Sequence, residues 1–259
     1  MTTRQPALFI SHGAPTLALE DSPTAHFLEQ LGRDLPRPRA IVVLSAHWET
    51  RLPTVSLTAA PETVYDFGGF PRALYTLQYP AVTDVKLAEN VRDRLAAAGF
   101  AVATTDTHGW DHGVWTPLLR MYPQADIPLV AVSLPHAASA EVFYQMGQSL
   151  RALRDDNVLI IGSGSYTHNL WALQPEGSAI PQWAQQFALW VDQALAEHRL
   201  ADLLDWKNQA PLARNNHPSD EHFNPLFAML GAASDGVAPQ RLHDDWRYGS
   251  LSMACWRFD

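Results

Sequence analysis

Three times along this chain a short run of apolar residues breaks off into a polar turn that leads to a histidine. Residues 41–48 read IVVLSAHW; residues 7–10 (ALFI) run into Ser11, His12 and Gly13; residues 157–161 (NVLII) pass through the turn at 162–165 to His168. Such runs, bounded by turn residues, read as strands buried on both faces of a sheet. His12, His47 and His168 would then each stand past the carboxyl end of a strand, where open α/β sheets gather their ligands. Neutral imidazole is a good ligand for zinc and ferrous iron, so the pattern points to a metal site. The competing reading is that the three rings only hydrogen-bond loop backbone. His136, after the apolar run 127–134, satisfies the same rule and shows it to be permissive.

Between these runs the pattern switches to helical periods. Ser22 caps a helix predicted over 24–31, with Pro23 at its first position. Residues 84–98 place Val85, Ala88, Val91 and Leu95 on one stripe and end at Gly99. Further helices are expected at LLRMY (118–122), 139–153 and 182–198, and further strands at 54–58, 101–104, 127–134 and, closing the chain, 248–256. Around 218–226 (PSDEHFNPL) two readings stand. Either Ser219 caps a helix that Pro225 interrupts, or Asn224 caps and Pro225 opens it, leaving His222 on the approach loop. Alternating strands and helices, with no linker or repeat, predict one doubly wound α/β domain with a mostly parallel central sheet and helices on both faces.

Composition narrows the function. A net charge of −9 over 259 residues, without a local basic cluster, argues against nucleic acid. No apolar run approaches a membrane span and no signal peptide is visible. The single cysteine, Cys255, in the apolar setting MACWRF, reads as a buried structural thiol and suits a reducing, cytoplasmic setting.

Other local patterns exclude as much as they propose. The turn 162–165 is neither G-x-G-x-x-G nor G-x-S-x-G, so it supports neither a dinucleotide site nor a nucleophile elbow. The DFG triplet at 66–68 lacks the companion motifs of a kinase. The long segment 59–80 reads as an ordered loop of functional length. In GWDHGVW (109–115), His112 lies between glycines and tryptophans, which would suit close ligand approach or simply an aromatic core turn. His26, His198 and His243 are assigned to surface or structural roles.

SHGAPT (11–16), SAHW (45–48), DFGGFP (66–71), GWDHGVW (109–115), GSGSYTHNL (162–170) and PSDEHFNPL (218–226) together, in this order, resemble the DOPA extradiol dioxygenase family. That family belongs to the class III extradiol ring-cleaving dioxygenases, related to the catalytic subunit of protocatechuate 4,5-dioxygenase. The resemblance implies that residues 1–259 form one catalytic domain that inserts O2 into a DOPA-like catechol. It implies Fe(II) for turnover, with Zn(II) able to occupy the same site. Position by position, it implies His12, His47 and His222 as metal ligands, and His168 as acid/base and a further ligand. It implies His112 as a catalytic residue of the oxygen pocket. Where the wider class places a glutamate, a histidine aligns here beside Glu221, so Glu221 competes with His222 for the third position. Trp110, Trp115 and Tyr75 are expected as walls for the ring. A zinc-dependent hydrolase and a non-catalytic metal- or small-molecule-binding protein are the alternatives.

Overall fold

In the computed structural model, which describes residues 3–259, eight strands form one sheet in the order β4-β3-β5-β2-β6-β1-β10-β7. They are β1 (Ala7–Ser11), β2 (Ala40–Thr50), β3 (Thr54–Ser56), β4 (Ala103–Thr105), β5 (Leu129–Pro135), β6 (Val158–Gly164), β7 (Gln240–His243) and β10 (Cys255–Phe258). β8 (Trp246–Arg247) and β9 (Leu251–Ser252) form a separate hairpin. The central strands β5, β2, β6 and β1 are parallel; β10 joins β1 antiparallel, as β7 joins β10. The fold is thus the expected α/β sheet, mostly parallel at its centre.

Alternation along the strands divides the core in two. Ala7, Phe9, Val42, Leu44 and Ile160 face one apolar cluster; Leu8, Ile10, Ile41, Val43 and Ile161 face the other. The first is covered by α2 (Val85–Ala97), α4 (Ala140–Leu150), α5 (Gln182–Ala196) and α9 (Asn224–Ala232). The second is covered by α1 (Pro23–Asp34) and α3 (His112–Met121). Three short helical turns, α6 (Leu200–Leu204), α7 (Trp206–Gln209) and α8 (Ala213–Asn216), lead into α9. No helix among the described residues is long and apolar enough to cross a membrane.

Several local expectations hold. Ser22 accepts from Ala25 N–H at 3.3 Å with Pro23 opening α1, and Asp84 caps α2 through Leu87 N–H at 3.0 Å. On α2, Ala88, Val91 and Leu95 are buried as expected, and Leu87 is buried in place of the exposed Val85. Near 224 the second reading stands, shifted by one residue: Pro225 lies in the first turn of α9 and His222 precedes it. Cys255 is buried and free, and burial pushes its thiol up to about 12.

Three expectations are corrected. His47 does not lie beyond β2 but inside it. The pairing of β2 with β6 ends at Ser45, while its pairing with β5 slips after Leu44 and resumes at Glu49. His47 therefore sits where the strand leaves one neighbour and is irregular against the other. Helix α3 begins at His112, six residues ahead of the helix expected at 118–122, because Asp111 O already accepts from Trp115 N–H. The closing strand is broken. Tyr248 and Gly249 both have positive φ, 50° and 73°, which turns the chain into the β8–β9 hairpin before β10 starts.

Candidate metal centre

Parallel pairing in the order β2-β6-β1 brings three strand ends side by side at one edge of the sheet. His12 follows β1, His47 lies in the irregular stretch of β2 just past its last pair with β6, and the chain leaving β6 carries His168. His222 arrives from the opposite side, on the turn before α9. That turn can press against the sheet because β6 ends in glycines. A Cβ on Gly164 would stand 2.1 Å from the His222 carbonyl oxygen, and one on Gly162 would stand 2.6 Å from that of Pro225. The glycine-serine turn thus serves close packing, and Ser165 N–H donates to His222 O at 2.8 Å.

Three imidazole nitrogens converge. His47 Nε2 lies 3.0 Å from His12 Nε2 and 3.2 Å from His222 Nε2. Each ring has its other nitrogen beside an oxygen: His12 Nδ1 is 2.9 Å from Ser163 Oγ, His222 Nδ1 2.9 Å from Glu221 Oε1, and His47 Nδ1 3.4 Å from Asp66 Oδ2. If the Nδ1 atoms carry the protons, three Nε2 lone pairs face one another with no hydrogen between them. A cation resolves that repulsion. Nitrogens bound about 2.0–2.1 Å from one ion lie about 2.8–3.4 Å apart across an angle near 90–110°, so the three histidines fit a metal ion. Glu221 is turned to the back of His222, where a carboxylate fixes the tautomer of a ligand.

Burial keeps these rings neutral. It holds His12 and His222 well below the ordinary imidazole value, with neighbouring histidines adding to the effect. Burial, then His112, brings His47 down to about 3, against the pull of Asp66. Neutral imidazole is the form that binds a metal.

A chain of hydrogen bonds orients His12. Pro117, inside α3, has no N–H for the Gly113 carbonyl four residues before it. Ser163 Oγ donates to that carbonyl at 2.5 Å. With its proton committed there, the Ser163 oxygen accepts from His12 Nδ1–H. A proline that costs the helix one bond thereby supplies the acceptor that sets the serine, and the serine sets the histidine.

Two more histidines complete the group. His168 stacks flat on His222, with ring centroids 3.5 Å apart and planes 10° apart, and burial lowers it to about 4. His112 lies with its ring centroid 3.9 Å from that of His47. Asp66 accepts from both His112 Nδ1–H, at 2.9 Å, and the His112 backbone N–H, also at 2.9 Å. Burial opposes the Asp66 charge, but these bonds outweigh it and hold the carboxyl below its usual range. Nε2 is then the free nitrogen of His112.

These residues line a cavity of about 500 Å³. Its aromatic walls differ from those expected. Trp110 and Trp115 are fully buried behind it, donating to the carbonyls of Ala81 and Val64, both at 3.0 Å. Tyr75 packs against Phe67 at 5.3 Å without reaching the cavity. Phe67 and Phe70 line it instead, supplied by the loop whose DFG had been set aside. Sequence reasoning also missed Asp66 and Ser163. The length of that loop, with an acid followed by two aromatics and two glycines, was the available signal for Asp66. Ser163 had none.

The remaining histidines stay outside. His136 is exposed beside Glu49, His26 pairs with Asp21 on the surface, and His243 stacks on Phe27. His108 stacks on Trp48, His198 is a surface residue at the end of α5, and His217 is buried against Phe223 with Nε2 3.1 Å from Tyr166 O.

Over residues 6–258 the chain matches the family described as the catalytic LigB subunit of aromatic ring-opening dioxygenase. It is 39% identical over 254 residues to a 4,5-DOPA dioxygenase extradiol of Beta vulgaris, covering 96% of this chain and 95% of that one. It is 40% identical over 260 residues to a protein of the same name from Escherichia coli K12, covering 97% and 94%. A crystal structure of an uncharacterized Escherichia coli K12 protein superposes with a TM-score of 0.83 at 34% identity, covering 99% of this chain and all of that one. The chain belongs to this family.

Proposed function

We propose that, as a member of the LigB family of aromatic ring-opening dioxygenases, this extradiol enzyme uses Fe(II), held by His12, His47 and His222, to open a catechol of the class that includes DOPA. The convergence of the His12 and His222 Nε2 atoms on that of His47, at 3.0 and 3.2 Å, carries the reading. Ferrous iron held by these three histidines would supply the Lewis acidity and one-electron chemistry that joining a catechol to O2 requires. Zn(II) suits the same donors.

The chain's own groups supply the rest. His168, neutral at pH 7 and stacked on His222, takes a proton from a ring hydroxyl as the diol binds, and would supply a further donor to the metal. His112, with Nδ1–H given to Asp66, directs Nε2 at oxygen or returns the proton to the product. Phe67 and Phe70 hold the ring and exclude water. The bond between one hydroxylated carbon and its unhydroxylated neighbour breaks. Both atoms of O2 enter the product, so no external reductant is needed. We place the reaction in the cytoplasm, a reading supported by the free, buried Cys255.

The test is anaerobic loading with Fe(II) followed by a catechol and labelled O2. Stoichiometric oxygen uptake, a yellow product and both labels in it are expected. Absence of turnover across a broad catechol panel, with iron shown to be bound, would overturn the proposal.

A further inference from the structure

We infer that Asp111 is a positioning residue: through Ser45 it holds the metal ligand His47 and the oxygen-pocket residue His112 at one spacing. The inference rests on the ring-opening reading above, which gives those two histidines their roles. An aspartate at a helix N-cap ordinarily accepts from its own helix. Asp111 is the N-cap of α3, yet the bond of its Oδ1 runs across to β2, where Ser45 Oγ donates at 2.6 Å. The same Ser45 oxygen accepts from the His47 backbone N–H at 3.2 Å. Ser45 is the last residue of β2 paired with β6, and against β5 the strand is irregular from Leu44 to Glu49. Regular strand pairing therefore does not fix the backbone of His47, and the Ser45 oxygen holds it instead.

The two partners stand next to the two histidines. Ser45 comes two residues before His47, and Asp111 directly precedes His112, which opens α3. Their bond ties the two segments together, and the His47 and His112 ring centroids stand 3.9 Å apart. Ser163, the β6 residue paired with Ser45, bonds the following residue of α3, Gly113, and orients His12. The start of α3 is thus bonded to two neighbouring strands, through one serine that serves His47 and another that serves His12. Packing leaves this junction little slack. Ser45 and Asp111 are 2% and 3% exposed, and a Cβ on Gly113 would stand 2.5 Å from Ser45 Oγ and 3.1 Å from Asp111 Oδ1. Asp111 Oδ2 lies 3.8 Å from His108 Nε2, and neither atom has a hydrogen bond. Oδ1 is the oxygen in use, so an amide at this position can replace the carboxylate.

The test uses Asp111→Asn, which keeps an acceptor for Ser45, Asp111→Ala, which removes it, Ser45→Ala, which removes the donor, and the double alanine variant. On the iron-loaded enzyme with DOPA, followed by oxygen uptake, both single alanine variants should lower kcat about 10–100-fold. KM should move less than about threefold, because neither residue touches substrate. The double variant should be no worse than the worse single one, since both remove the same bond. Asp111→Asn should stay close to the parent. The visible ligand-field bands of Co(II)-loaded protein should shift in the alanine variants and keep their parental positions in Asp111→Asn, a change that loss of packing away from the ligands would not produce. Should Asp111→Ala not fold, Ser45→Ala is read by the same two measurements. Parental kcat and cobalt bands in Ser45→Ala, or Asp111→Asn failing as Asp111→Ala does, would overturn the inference. A parent enzyme silent toward every catechol, with iron bound, would overturn the ring-opening reading, while the cobalt bands would still decide whether Asp111 and Ser45 set His47.

Discussion

Ser163→Ala tests whether the serine relay sets the tautomer of His12. The substitution removes the acceptor of His12 Nδ1–H and the donor to Gly113 O in one step. Both lie in a region where His12 is 1% exposed and Ser163 fully buried. Each buried polar group left unpaired costs about 1–3 kcal/mol, so with two orphaned the metal-free protein should lose about 2–6 kcal/mol of stability. Losing the partner of a ligating histidine should also weaken metal binding about 10–100-fold. The two losses separate through Pro117. In Pro117→Ala the new N–H can bond Gly113 O along the helix, and that carbonyl already has a partner in the parent but none in Ser163→Ala. Pro117→Ala should therefore stabilise the Ser163→Ala protein by about 1 kcal/mol more than it stabilises the parent. It should not restore metal affinity, because His12 still lacks its acceptor. Urea unfolding of the four metal-free proteins, with chelator competition for the metal, measures both. Additive stabilities, or metal affinity unchanged in Ser163→Ala, would refute the relay.

Glu221→Ala should weaken metal binding about 10–100-fold, whereas His222→Ala should weaken it far more; the opposite order in a chelator titration would make Glu221 the ligand. Asp66→Asn should leave most of the metal affinity, since its contact to His47 is 3.4 Å, but lower kcat, since it turns His112 at 2.9 Å; kcat unchanged in oxygen uptake would remove Asp66 from the mechanism. The metal-free protein should lose stability on acidification. Burial depresses His47 and His217 to about 3 and His108 and His168 to about 4, from 6.5. Below pH 6.5 the unfolded chain takes up protons that these folded rings refuse, so the loss runs from about pH 6.5 down toward 4. Asp111, raised by burial to about 6, and Asp192, also raised by burial, work in the opposite direction but are two groups against these four histidines. Urea midpoints that stay flat or rise between pH 7.5 and 5 would contradict this.

The sequence by itself determined the central strands β1, β2, β5 and β6, their buried character and the placing of His12 and His168 past strand ends. Strand period, apolar runs and caps such as Ser22 and Asp84 are local properties, and they read correctly because neighbours in sequence create them. It also carried the motif series that implied His112 and His222. The tertiary structure decided how these residues meet. That β6 lies between β1 and β2 is a matter of long-range pairing, and it alone puts three strand ends side by side. Whether Glu221 or His222 faces the other histidines turns on one residue's direction in a turn held by Gly164 and Ser165, far away in the chain. Trp110 and Trp115 looked like walls because their motif contains the histidine; their indole N–H groups instead reach backbone carbonyls in the core, leaving the cavity to Phe67 and Phe70. The roles of Asp66 and Ser163 rest on hydrogen bonds to residues 46 and 151 positions away, and no local pattern records a partner at that distance.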